Sequence, residues 1–233
     1  MLGKIRLVSS LLIAIALNSS LQAQSQTQID FRPLTQEMLN DPDPEDWLMW
    51  RGGYNNWGYS PLDQINRENV DQLRLAWSWS FAPSALGSNG MQVEPTVYDG
   101  IMYIRHSDEK YSAHNAATGD LIWQYSRPLP TEIAAGDTRL TVHRGRGVFI
   151  YEDKLISHAT DGTLFALNPS TGALLWESVM TDFRSGAQPS GAPVAFGGSV
   201  VVPYNCTAWT AADPCHMSAY DADNGDLLWR WYT

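Results

Sequence analysis

The sequence predicts an all-β chain built as blades of a β-propeller, and two observations carry that prediction. One nine-residue pattern recurs as "NAATGDLIW" at 115–123, "NPSTGALLW" at 168–176 and "DADNGDLLW" at 221–229. Its glycines (Gly119, Gly172, Gly225) and its tryptophans (Trp123, Trp176, Trp229) are each spaced by 53 residues. Around each copy lie four short β-type runs separated by Gly, Asp and Asn, residues for which a positive φ costs little, and none of the runs has helical periodicity. A period of about 50 with four strands in it is the mark of one propeller blade per repeat.

From the N-terminus, Lys4 and Arg6 precede the apolar run "LVSSLLIAIAL" at 7–17, and a small residue follows at Ala23. That order describes a secretory signal peptide over 1–23, with an uncleaved anchor as the alternative. The run is short for an ordinary membrane span. Residues 24–46 are polar and end in "NDPDPEDW", where alternating Asp and Pro oppose helix and sheet. This predicts an extended lead-in, with order starting near Trp47 and a partial propeller over 47–233. The segment "VDQLRLAWSWSF" at 70–81 repeats the outermost strand of a blade without its turn, and carries Trp77.

The first blade is read from "PTVYDG", "IMYI", "YSAHNAATG" and "LIWQY". The second is read from "GVFIYED", "KLISHATDG", "TLFALNPSTG" and "LLWES", and the third from "APVAFGG", "SVVVPY", "MSAYDADNG" and "LLWRW". In each, Asn/Asp-x-x-Thr/Asn-Gly makes a tight turn, with the glycine free to take a left-handed conformation. The tryptophan that follows is placed between its own blade and the next, as a fastener. About three four-stranded blades and one orphan outer strand do not close a ring of about four to eight blades. The chain is therefore expected to be a piece of a longer protein.

Of the 233 residues, 44% are hydrophobic and ten are tryptophan, enough for a sizeable core packed with large flat rings. The net charge of −10, without any cluster of Lys and Arg, excludes a general nucleic-acid surface. The two cysteines, Cys206 and Cys215, bracket the polar loop "TAWTAADP". In an exported chain they read as a disulfide closing that loop, with two unpaired thiols as the alternative. Two cysteines without accompanying histidines make no zinc site.

Further residues carry a resemblance. "DWLMWRGGYNNWGYSPLDQINRENVDQLRLAWSWSF", then "DGIMYI" and "NAATGDLIWQYSRPLP", resembles the start of the pyrroloquinoline quinone (PQQ)-dependent alcohol dehydrogenases, and the resemblance covers 46–233. It implies an eight-bladed propeller of the quinoprotein type, in a periplasmic enzyme holding PQQ and Ca2+ on the propeller axis. It implies a small alcohol substrate oxidised to an aldehyde, with cytochrome c as electron acceptor and no membrane span after signal cleavage. The family's catalytic base lies in later blades, so no residue here is given that role and the fragment alone is expected to be inactive.

Carried over residue by residue, Arg144 in "VHRG" matches the arginine that grips a PQQ carboxylate, a task that suits a guanidinium fork. The plainer alternative is a blade-surface arginine. Ser190 in "SGAP" stands where a cofactor-binding hydroxyl is usual, or is simply a turn residue. The family's cofactor-contacting glutamate is replaced by Gln92 in "QVEP", with a carboxylate two residues on at Glu94, and the sequence leaves both open. Near the first cysteine "CTAWTAADPC" lacks the glutamate that holds calcium, leaving Asn205 and Asp213 as weak oxygen donors. Two other readings stay open: a non-enzymatic periplasmic scaffold, and a quinoprotein relative that has lost calcium.

Overall fold

Each repeat folds into its own antiparallel sheet in the computed structural model, which describes residues 29–80, 92–106, 109–134, 146–185, 188–189, 191–205 and 215–232. The first blade orders β1 (Thr96–Tyr98), β2 (Ile101–Arg105), β3 (Lys110–Asn115) and β4 (Leu121–Ser126) side by side. The second does the same with β5 (Phe149–Tyr151), β6 (Lys154–His158), β7 (Thr163–Leu167) and β8 (Leu174–Val179). In the third, a two-residue strand β9 (Gln188–Pro189) adds to the far end of β11 (Ser199–Asn205). That blade otherwise runs β10 (Val194–Phe196), β11, β12 (His216–Asp221) and β13 (Leu227–Tyr232).

The recurrent turn does the same work three times. The side-chain oxygens of Asn115, Asn168 and Asp221 each accept two backbone N–H groups, at residues two and three further on. The N–H of Gly119, Gly172 and Gly225 returns to the carbonyl of that same Asx residue, at 2.8, 2.8 and 2.9 Å. All three glycines have φ between +71° and +78°, a region that L side chains rarely adopt.

The glycine is needed a second time, for what lies on it. The indole of Trp123 donates to the Pro169 carbonyl at 2.8 Å, and that of Trp176 to Ala222 at 3.2 Å. In both cases the acceptor lies three residues before the next repeat's glycine, and the ring covers that glycine so closely that a Cβ there would stand 2.5 or 2.6 Å from it. Trp77 makes the same contact on the first blade, donating to Ala116 at 3.0 Å and lying over Gly119. The segment 73–80 that carries it joins no ladder among the described residues, so the orphan strand is present as a docked fastener rather than a paired strand.

The lead-in departs from expectation. Thr35 caps a short helix α1 (Gln36–Asn40) by accepting the Met38 N–H, and Leu34 and Leu39 are buried in the core. The Asp-Pro run that opposes regular structure begins only after this helix, so order is in place before Trp47. The strap then ties all three blades. Arg32 and Tyr98 exchange hydrogen bonds, the Leu34 N–H donates to Glu152, and the Tyr54 hydroxyl donates to the Ala195 carbonyl at 2.5 Å. An isolated bridge joins Trp47 to Val97 of β1.

β13 exposes Leu227, Leu228, Trp229, Trp231 and Tyr232, and Trp57, Tyr59 and Leu75 are exposed as well. Large apolar surfaces of this kind associate. Sedimentation of the 233-residue chain at micromolar concentration is expected to show concentration-dependent self-association; one monomeric boundary across the range would contradict this.

Candidate cofactor site

The entry to β1 carries Gln92 and Glu94, and the structure gives them different surroundings. Glu94 Oε1 accepts the Trp47 indole N–H and, at 3.2 Å, the Arg51 backbone N–H. The carboxylate is thereby committed to holding the strap against blade one. Gln92 is exposed. Sequence alone could not separate the two, because the partner of Glu94 lies 47 residues earlier.

The segment that follows Arg144 runs alongside this entry. Arg144 itself lies outside the described residues. Arg146, two residues on, stacks its guanidinium over Trp50 with its centre 5.3 Å from the ring. Gly147 (φ +116°) packs so tightly that a Cβ would stand 2.8 Å from the Glu94 carbonyl, and the Val148 carbonyl accepts the Thr96 hydroxyl at 2.8 Å. Glu94 and Thr96 at the entry to β1 are thus clamped to Gly147 and Val148 where blades one and two meet.

Ser190 also lies outside the described residues, but both neighbours are fixed. Pro189 pairs with Tyr204 in the β9–β11 ladder, and Gln188 with Asn205, the last residue of β11. The Gly191 carbonyl faces His158 Nε2 at 2.6 Å, which requires Nε2 to carry the proton. His158, buried at the end of β6, therefore holds the Gly191 backbone from the neighbouring blade. No spacing rule in the sequence points to it. Cys215 precedes β12 and is no free thiol, while Cys206 and Asp213 lie outside the described residues.

Between blades one and two sits a buried charged network that sequence reasoning also missed. Arg105 Nη2 contacts Glu109 Oε1 at 2.5 Å, with both side chains almost fully buried. The same carboxylate takes the Thr160 N–H and hydroxyl from blade two, at 3.2 and 2.5 Å, and the Tyr111 hydroxyl at 2.9 Å. Burial alone would raise the Glu109 carboxyl; the Arg105 charge and these hydrogen bonds outweigh it and hold the group below the usual carboxylate range. Nearby, Arg127 bridges Asp161 at 2.9 Å and Glu177 at 2.7 Å.

Comparison with known proteins places this architecture. Residues 47–233 match the family described as "PQQ: Glucose/ethanol/alcohol dehydrogenase, beta-propeller domain". The chain belongs to that family. It is 35% identical over 200 residues to the dehydrogenase subunit of alcohol dehydrogenase (quinone) from Gluconobacter oxydans, covering 83% of this chain and 25% of the relative. It is 32% identical over 195 residues to quinoprotein alcohol dehydrogenase PedH from Pseudomonas putida, covering 83% and 31%. The solved quinohemoprotein alcohol dehydrogenase ADHIIG from Pseudomonas putida superimposes with a TM-score of 0.73 at 29% identity, over 86% of this chain and 29% of that one. A europium-containing methanol dehydrogenase superimposes with a TM-score of 0.71 at 27% identity, over 85% and 33%. The chain thus spans about a quarter to a third of the length of these relatives. The propeller inferred from the repeats, and the quinoprotein type that the resemblance implied, are the fold of this family.

Proposed function

We propose that the chain is the N-terminal portion of a periplasmic, PQQ- and calcium-dependent alcohol dehydrogenase that oxidises a primary alcohol to an aldehyde and passes electrons to cytochrome c. The observation that carries this reading is the family match running unbroken from Trp47 through all three blades. PQQ, when bound, supplies the two-electron acceptor for such an oxidation. The chain's own residues bind and orient it: Arg144 grips a carboxylate, Ser190 offers a hydroxyl, and Gln92 offers a neutral amide.

The donor set supports this. PQQ carries three carboxylates, so a site for it favours cationic and neutral donors. Glu94 is occupied by Trp47 and Arg51, whereas Gln92 is exposed at the strand entry. We therefore assign the contact to Gln92 rather than to Glu94. The signal peptide over 1–23 supplies the export that the periplasmic reading needs, and a Cys206–Cys215 bridge closes the loop after β11.

Calcium fits less well. Among the described residues no group of three or more His, Cys, Asp or Glu is placed to hold a metal ion. The stretch "CTAWTAADPC", which lacks a glutamate, keeps a second reading open, a relative that has lost calcium, and no step is derived through the metal. The test is dye-linked oxidation of ethanol with added PQQ and Ca2+. The 233-residue chain is expected to show no turnover, and the full-length reading frame PQQ-dependent turnover. Turnover by the fragment, or none by the full-length product, overturns the proposal; turnover indifferent to Ca2+ and to chelator selects the second reading.

A further inference from the structure

A cavity of about 300 Å3 opens at the end of β1 away from Gln92, where the β1–β2 and β3–β4 turns meet the start of the strap. Phe31, Ile101 and Ile122 supply apolar wall, and the side chains of Asp30, Asp99 and Asp120 stand exposed around it. Tyr103, fully buried, is among its lining residues, and its hydroxyl is buried with no hydrogen-bond partner among the described residues.

That orphaned hydroxyl is what separates this cavity from an ordinary acidic dent. A buried phenol left unpaired is costly, and native interiors rarely tolerate one without a reason. Tyr98 lines the same cavity, yet its hydroxyl is fully used, accepting from Arg32 Nε at 3.3 Å and donating to the Arg32 carbonyl at 3.0 Å. Arg32 is thereby turned to Tyr98, and no Lys or Arg lines the cavity among the described residues. Burial pushes the Tyr103 phenol up, and the nearby Tyr98 and Asp99 add to this, so the group stays a neutral donor and acceptor. Asp120 keeps its place in the turn by accepting the Thr118 hydroxyl at 2.7 Å.

We propose that this cavity binds a small organic cation, a primary ammonium on an apolar or aromatic body. One ammonium N–H donates to the Tyr103 oxygen, the body lies against Phe31, Ile101 and Ile122, and the three carboxylates supply a field that favours positive charge. This does not rest on the dehydrogenase reading, since none of these residues belongs to the cofactor segments.

The test is ligand-observed saturation-transfer NMR and calorimetric titration of the 233-residue chain with phenethylammonium, against 2-phenylethanol and phenylacetate as neutral and anionic controls. Saturable binding of the cation is expected, with the alcohol about tenfold weaker and the anion weaker still, and with affinity falling as salt rises. Tyr103→Phe should weaken the cation about fivefold, the loss of one hydrogen bond. Without ligand the same variant should raise Tm by about 2–4 °C, because it removes an unpaired buried hydroxyl. Asp99→Asn, which keeps a side chain suited to the positive φ at that turn, should weaken the cation and leave 2-phenylethanol unchanged. No saturable binding (a cavity that holds water only), equal affinity for phenylacetate, or a Tyr103→Phe variant that binds the cation as tightly as the parent overturns the proposal.

Discussion

Glu109→Gln should destabilise the chain by about 3–5 kcal/mol at neutral pH, the cost of leaving a buried charge without its partner. The substitution keeps the size and most of the hydrogen-bonding capacity of the side chain, so packing is not what is lost. What is lost is the only carboxylate in contact with Arg105, whose Nη1 already lacks a partner, both among the described residues. The same carboxylate also receives Thr160 from the second blade, so the loss falls on the joint between blades as well as within the first. Urea unfolding followed by tryptophan fluorescence measures it, and a midpoint shift equivalent to less than about 1 kcal/mol, the range of an exposed pair, would show that the network contributes no more than a surface ion pair.

The same network sets an acid limit. The folded chain holds Glu109 below its ordinary value, so the unfolded chain binds the proton more readily. Its contribution is complete above the unfolded carboxylate value of about 4.3 and is lost as pH falls through the lower folded value. Between neutral pH and the acid limb, the parent's advantage over Glu109→Gln should therefore shrink only below about pH 4.3. An advantage that fades between pH 6 and pH 8 would point to a different group.

Neither Glu109 nor His158 was legible in the sequence, and the reason is the same. A blade joint is formed by residues whose partners lie a repeat away, Glu109 with Thr160 and His158 with Gly191, and a single sequence carries no mark of such pairs. The repeats were legible because their chemistry is local. An Asx side chain caps its own turn within three residues, and a glycine follows at the one left-handed position. The strap falls between these cases. Its Asp-Pro run forms no regular element, but α1 precedes that run and is anchored by Leu34 and Leu39 in the core shared with the blades. The choice between Gln92 and Glu94 likewise depended on Trp47, a contact no local rule supplies.

Trp123→Ala should cost about 3–5 kcal/mol, the range for deleting a large buried ring. The contrast with Trp229, which occupies the same place in its own repeat, makes the result diagnostic. Trp123 is 6% exposed and lies on Gly172, whereas Trp229 is 45% exposed and has no following turn among the described residues. Trp229→Ala in the 233-residue chain should therefore stay within about 0.5 kcal/mol, as surface substitutions do. The joint itself is isolated by a third variant. Gly172→Ala places a Cβ 2.5 Å from the Trp123 ring and forces alanine to a φ of +71°. Only the first of these costs depends on the tryptophan, so the glycine substitution should be milder when Trp123 is already alanine, by about 1–3 kcal/mol of relieved overpacking. Strict additivity in that cycle would mean that ring and glycine do not act as one fastener, and would remove the physical reason for the 53-residue repeat of the pair.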